Sequence, residues 1–270
     1  MFTLSLIDIL LYLGTGALVG LLAGLLGVGG GLVVVPTLIY LLPISGVPQH
    51  LVTHMAVATS LATIVVTSIA SVRAHSRHGS VIWWVFKAMT PGVIVGGLLG
   101  AQLARLIPAN GLKLVFAIFA LAIAAQMFLR LRPAPHKQEP GKLGLAIAGA
   151  IIGSFSTLVG IGGGSITVPF LTYWNTAMAR AVGTASAIGL PLSIAGTLGF
   201  ILNGIGREDL PPLSLGFVYL PAFFGIVLIS SQTAPLGARL AQKLPARILS
   251  RIFALFLLLV AANMFWHGLE

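Results

Sequence analysis

From Leu51 to Val72 the chain carries one ionisable side chain, His54, and from Leu143 to Ile161 it carries none. Runs of this length and polarity constrain a fold more than any short motif does. About 20 apolar residues in helical form cross the hydrocarbon core of a bilayer. Leu112–Leu129 holds only Lys113, at its edge, and Ala177–Leu202 holds only Arg180, also near an end. Over 270 residues, 7% are charged and 57% hydrophobic, whereas soluble domains carry about 25% charged residues. A soluble globule built from this chain would lack a polar coat. The expected fold is an all-α polytopic membrane protein, with the lipid bilayer as its principal partner.

The formal charge of +10 does not point to nucleic acid. The basic residues fall between apolar runs, where membrane topology uses them, and form no clustered face on a soluble surface. No nucleic-acid partner is expected. The absence of cysteine excludes disulfides and thiolate metal sites. The N-terminal segment MFTLSLIDIL lacks a basic leader region and carries Asp8, which predicts the start of a first helix.

The chain is written twice. Gly20, Gly27, Gly29, Gly30, Gly31 and Pro36 recur at a constant offset as Gly153, Gly160, Gly162, Gly163, Gly164 and Pro169. Val57-Ala-Thr59 then resembles Val182-Gly-Thr184, Ser68-Ile-Ala70 matches Ser193-Ile-Ala195, and the segment Gly100–Pro108 resembles Gly237–Pro245. Ala124-Ala-Gln-Met-Phe128 matches Ala261-Ala-Asn-Met-Phe265. The order of the matches predicts an N-terminal repeat over 1–135, a linker at 136–141 and a C-terminal repeat over 142–270, together forming one transport domain. Each repeat reads as an apolar run, a Gly-rich break, a short apolar run and three longer helices. The first predicts segments at about Leu4–Leu26, Leu32–Leu42, Leu51–Val72, Val81–Leu103 and Leu112–Leu129. The second predicts about Leu143–Ile161, Ile166–Trp174, Ala177–Leu202, Leu213–Thr233 and Ile248–Phe265.

Lysine and arginine positions choose between two topologies. If each broken unit crosses the membrane once, the halves lie parallel and the fifteen cations divide 8 against 7. If each unit enters and returns to the same side, the halves are inverted. Twelve cations then share one side, leaving Arg105, Lys113 and Arg207 on the other. The bias favours inverted repeats with both termini outside the cytoplasm. Inverted repeats with broken helices are the pattern of secondary transporters, whose substrate sites lie at the breaks near the midplane.

Three sets of residues carry candidate chemistry. Gly29, Gly30 and Gly31, with Gly162, Gly163 and Gly164, interrupt helices inside the membrane, where irregular backbone survives only if buried in protein or lining a cavity. Amides exposed at the start of a half-helix attract anions, and glycine lets a ligand approach them. Packing is the competing role, and it is the favoured one for Gly20-x-x-x-Gly24 and for Gly96–Gly100. No lysine follows the breaks and no strand precedes them, so they are not nucleotide-binding loops. The second set is Thr59, Ser60, Thr184 and Ser186, whose hydroxyls either donate to an anion or bond locally to helix carbonyls. Ser165 adds a further hydroxyl beside the second break. The third set is His54, a candidate for proton handling or a boundary residue, and Arg73, a candidate anion contact that more simply marks the cytoplasmic edge. The five acids place only Asp8 in an apolar run, which argues against a cation site. No hydrolase or metal-ligand spacing is present, and no catalytic residue, metal or cofactor is expected.

The paired GxGGG breaks with Pro36 and Pro169, the two Val-x-Thr segments, Gly237-Ala-Arg-Leu-Ala241 and the Phe-rich last helix resemble the sulfite exporter family of the TauE/SafE type. The resemblance covers nearly the whole chain. It implies a multi-pass transporter of the cytoplasmic (inner) membrane that exports small sulfur-containing anions such as sulfite or organosulfonates. Thr157 departs from the repeat, standing where the first half has Gly24. A passive channel-like anion facilitator is the alternative, and a membrane-embedded enzyme or assembly factor a remoter one. The anion, the coupling ion and the number of subunits, a homo-oligomer included, stay open.

Overall fold

The structure is a computed structural model that describes residues 6–26, 30–129, 140–241, 246–266 and 268. Gly27 and Gly29 of the first break, and residues 136–139 of the linker, lie outside these. Ten helices are present among the described residues. The first five are α1 (Leu6–Leu26), α2 (Gly31–Ile44), α3 (Gln49–Arg77), α4 (Trp83–Leu106) and α5 (Ala109–Leu129). The second five are α6 (Lys142–Val159), α7 (Gly164–Tyr173), α8 (Met178–Gly204), α9 (Leu220–Ala241) and α10 (Ala246–Trp266). Five of them (α3, α4, α5, α6 and α8) are long and apolar enough to cross a membrane. Side chains such as Leu99, Ile118, Ile151 and Leu259 are exposed. Water would not tolerate apolar surface on this scale in a monomer, and lipid does.

The expected segments are found within a few residues, with one exception. The run beginning at Leu213 is not yet helix. Ser214–Leu215 and Val218–Tyr219 form a two-stranded antiparallel hairpin, β1 and β2, ahead of α9. Pro211 and Pro212 have no amide to give a helix. Leu213 and Gly216 both adopt left-handed backbone, at φ 64 and φ 54. A Cβ at Gly216 would lie 2.6 Å from Ile201 Cα, so the hairpin lies directly against α8.

Helix senses follow from contacts. Ser45, just beyond α2, donates to Asp8 Oδ1 at the start of α1 over 2.8 Å, so the first broken unit turns back to the end it came from. Tyr12 lies against Gly225, Gly16 against Ile226 and Gly20 against Ser230, which sets α1 and α9 side by side in the same sense. Gly149 lies against Met89, Gly153 against Val93, and Ser154 against Gly100, doing the same for α6 and α4. The packing role expected for Gly20, Gly96 and Gly100 is met here: a Cβ at Gly100 would sit 2.5 Å from Ser154 O. The central helices α3 and α8 run antiparallel, with Ser68 beside Gly189 and Leu61 beside Gly196. His54 touches both Ala104, late in α4, and Phe217, just before α9, so α4 ends where α9 begins.

Two ends of the bundle result. One gathers His50, Arg105 and Arg207. The other carries Arg73 and Arg77 at the end of α3 and Trp83 at the start of α4.

Candidate functional site

The second break is described in full. Helix α6 ends in Gly160 at φ 74, a left-handed conformation that only glycine adopts cheaply. The amide of Ile161 donates to Ser156 O at 2.9 Å and that of Gly160 to Thr157 O at 3.2 Å. This is a Schellman closure, which satisfies two carbonyls that the helix end would orphan. The chain passes Gly162 and Gly163 and restarts as α7 at Gly164. Of the first break, Gly30 and Gly31 are described. Gly30 caps α2, and its carbonyl accepts from Val33 and Val34 at 2.9 Å each.

The two breaks touch. A Cβ on Gly31 would lie 2.7 Å from Gly160 O and 3.1 Å from Ile161 Cα. Gly160 in turn lies against Val57 of α3, where a Cβ would approach Val57 Cα at 3.0 Å. Helix α3 spans 29 residues, about 43 Å, and Val57, Ser60 and Ile64 bracket its midpoint. The breaks therefore meet at mid-height of the bundle. Both short helices begin there, so their leading amides, ahead of the first bonded ones at Val33 in α2 and Thr167 in α7, start from one region.

A cavity of about 520 Å³ opens from this point toward the Arg73 end. Its wall includes Gly30 from one break and Gly162 and Gly164 from the other, with Thr63, Thr67, Ser68, Ser71, Ser186, Ser230 and Ser231. Among the described residues that line it, none is charged. A Cβ at Gly164 would meet nothing within 4 Å, so its backbone faces open space. Toward the opposite end, α3 is buried at every residue from Met55 to Ala62, and none of these lines the cavity.

The expected hydroxyls divide. Ser186 lines the cavity. Ser60 is fully buried and donates to Gly160 O at 2.8 Å, fastening the break to α3. Thr59 Oγ1 accepts from the Tyr219 amide at 3.0 Å, and Thr184 Oγ1 accepts from the Ile82 amide at 2.9 Å. Each threonine accepts from a buried amide ahead of a helix in the other half of the chain, α9 for Thr59 and α4 for Thr184. The structure thus assigns Thr59, Ser60 and Thr184 to backbone support and does not bring them to the cavity wall. Ser165 is buried, as is Thr167 two residues on, and neither hydroxyl has a hydrogen-bond partner among the described residues. Gly163 caps α7 close to Thr167 Oγ1 without lining the cavity.

His54 is buried far from the cavity and donates Nε2–H to Ala104 O at 2.9 Å. Arg73 is exposed at the end of α3 and is not part of the lining. Sequence reasoning did not single out Ser68 and Ser71 as site residues, although Ser68 belongs to a repeated segment. Thr157, the departure from the repeat, is fully buried in the α4–α6–α8 packing. A Cβ at Gly100 would lie 2.9 Å from Thr157 Cβ.

A helical bundle with lipid-compatible outer faces and a central half-buried cavity at paired helix breaks is the architecture of a membrane transporter. The sequence comparisons agree. The sequence model described as "Sulfite exporter TauE/SafE" matches residues 12–264, so the chain belongs to the sulfite exporter TauE/SafE family. It is 42% identical to a "Probable membrane transporter protein" of Haemophilus influenzae, over 95% of this chain and 98% of that protein. It is 30% identical to one of Xylella fastidiosa, over 97% of this chain and 96% of that protein. Against the "Probable membrane transporter protein YunE" of Bacillus subtilis the figures are 27%, 94% and 96%. No solved structure matches the chain.

Proposed function

We propose that this membrane transporter moves small sulfur-containing anions, sulfite or organosulfonates, across the cytoplasmic (inner) membrane by alternating access. The carrying observation is the cavity at which both breaks meet, walled by Gly30, Gly162, Gly164 and hydroxyl side chains and free of charge among its described lining residues. A helix N-terminus presents unpaired amides and a partial positive charge. Two of them starting from one region offer an anion several donors without a cation at mid-membrane. Ser165 and Thr167, buried beside the second break without partners among the described residues, are further donors for which desolvation is already part of the fold. Export and the sulfur-anion class come from the family's description.

The halves are read as inverted repeats. Support comes from helices at matching positions running in opposite senses, α4 against α9 and α3 against α8. The Arg73 end is then cytoplasmic, and its basic loops raise the local anion concentration, an effect that salt weakens. The buried stretch of α3 from Met55 to Ala62, which lines no cavity, speaks for a gated carrier and against an open pore. Rocking one half against the other would open this end and close the cavity.

Thermal stabilisation of the detergent-purified chain by sulfite, sulfate, thiosulfate, sulfoacetate and taurine tests this. A bound anion at a hundredfold its dissociation constant stabilises by about 2.7 kcal/mol. Stabilisation by cations or neutral solutes alone would sink the anion reading.

A further inference from the structure

At the end of the bundle away from the central cavity lies a second cavity of about 330 Å³, lined by His50, His54, Arg105, Arg207, Phe217 and the turn at Pro108. Nothing in the proposed transport site uses it. Two of its lining residues are permanent cations, and none is an acid. The acid next to it, Asp209, is already held as an anion would be. Arg207 donates Nε–H to Asp209 Oδ1 at 2.9 Å and Nη2–H to Oδ2 at 2.7 Å, and His50 Nε2 lies 3.1 Å from Oδ2. A two-pronged guanidinium grip is the geometry with which arginine recognises carboxylates and other planar or pyramidal oxyanions. The Arg207 guanidinium carbon sits 5.4 Å above the Phe217 ring. That ring packs edge-on against Phe200 and is tilted on His54, so the fork is oriented before any solute arrives. Arg105 completes the rim and makes no ion pair among the described residues. Glu208 likewise makes none.

We propose that the His50–Arg105–Arg207 vestibule is a second binding site for small oxyanions, at the far end of the solute path, and that the Asp209 carboxylate is its internal competitor. A sulfite or sulfonate presents the same pair of oxygens to the fork that Asp209 does. Arriving from the central cavity or from outside, it takes the Arg207 prongs while Asp209 swings clear on its exposed loop. Arg105, on the wall of the same cavity, adds charge. The competitor keeps the grip weak enough for release, as transport requires. In the inverted arrangement Arg105 and Arg207 are two of the three cations on the less basic side, where the positive-inside rule gives them no orienting role. The ligand class rests on the anion reading of the central cavity; the site itself rests on the vestibule geometry.

The test is titration of the detergent-purified full chain with sodium sulfite and with sodium methanesulfonate at low ionic strength, for wild type, Asp209→Asn, Arg105→Gln and Gly164→Ala. Asp209→Asn keeps side-chain size and removes the competing charge, and it should tighten one class of binding by about tenfold. Arg105→Gln breaks no ion pair among the described residues, and it should weaken that class severalfold while leaving the class that Gly164→Ala weakens. Unchanged or weaker binding in Asp209→Asn would overturn the proposal, marking Asp209 as a loop tether only. So would full retention of both classes in Arg105→Gln. In either case, binding that Gly164→Ala still weakens would leave the central site standing. Absence of anion binding in every form would remove both.

Discussion

Replacing Gly164 and Gly31 by alanine separates ligand contact from packing at the same breaks. Gly164 lines the cavity, and a Cβ there meets no heavy atom within 4 Å and points into open space. The fold should accept it. Gly164→Ala should unfold within about 0.5 kcal/mol of wild type, the ordinary range for a substitution that touches nothing. The methyl would, however, stand between the first-turn amides of α7 and a bound anion. Losing one charge-assisted hydrogen bond costs about 1.5–3 kcal/mol, which is roughly 10- to 150-fold in affinity. Gly31→Ala is the opposite case. Its Cβ would lie 2.7 Å from Gly160 O and 3.0 Å from Ile64 Cδ1. The first is backbone held by Ser60 and cannot yield cheaply, so overpacking should cost about 1–3 kcal/mol of stability. Thermal unfolding of both purified variants, with and without sulfite, reads the two effects. Wild-type affinity in Gly164→Ala would refute the placement of the anion at the start of α7.

Thr59→Val and Thr184→Val should each lower stability by about 1–3 kcal/mol, because each orphans a buried amide, Tyr219 or Ile82. Thr→Ser at either position should restore most of the loss, read by thermal or denaturant unfolding. Ser186→Ala should leave unfolding unchanged and weaken anion binding severalfold, since Ser186 is on the cavity wall. The Arg207 hydrogen bonds, and then His50, hold the Asp209 carboxyl well below the usual carboxylate range. A depressed folded-state value contributes stability that is fully present above the unfolded pKa, about 3.9, and is lost as pH falls through the folded one. Wild type should therefore lose this contribution only under strongly acidic conditions, and Asp209→Asn should lack it at every pH. Because both side chains are well exposed, the effect should be small and should shrink in salt.

Much of the fold was legible because the bilayer enforces it. A helix must be about 20 residues long and apolar to cross, and a break inside one needs glycine, so spans and breaks are written in composition. The hairpin before α9 escaped because Leu213-Ser-Leu-Gly-Phe-Val is as apolar as a helix. Only Pro211, Pro212 and the left-handed Leu213 and Gly216 reveal it. The partners of Thr59 and Thr184 are 160 and 102 residues away, and no local pattern encodes such distances. Ser68 and Ser193 hold matching positions in the sequence, yet only Ser68 faces the cavity, while Ser193 Oγ donates to Leu190 O. A cavity that opens to one end alone gives equivalent positions different surroundings. The vestibule draws on His50, Arg105 and Arg207 from three separate segments. Its one sequence trace is that an inverted arrangement would leave Arg105 and Arg207 on the less basic side.

Counterflow of labelled sulfite in proteoliposomes tests the transport account most directly. Vesicles preloaded with unlabelled sulfite should accumulate the label transiently, with an initial rate that saturates with external sulfite and falls in Gly164→Ala. A flux that rises linearly without saturation, or no sulfite movement by well-folded protein, would contradict it.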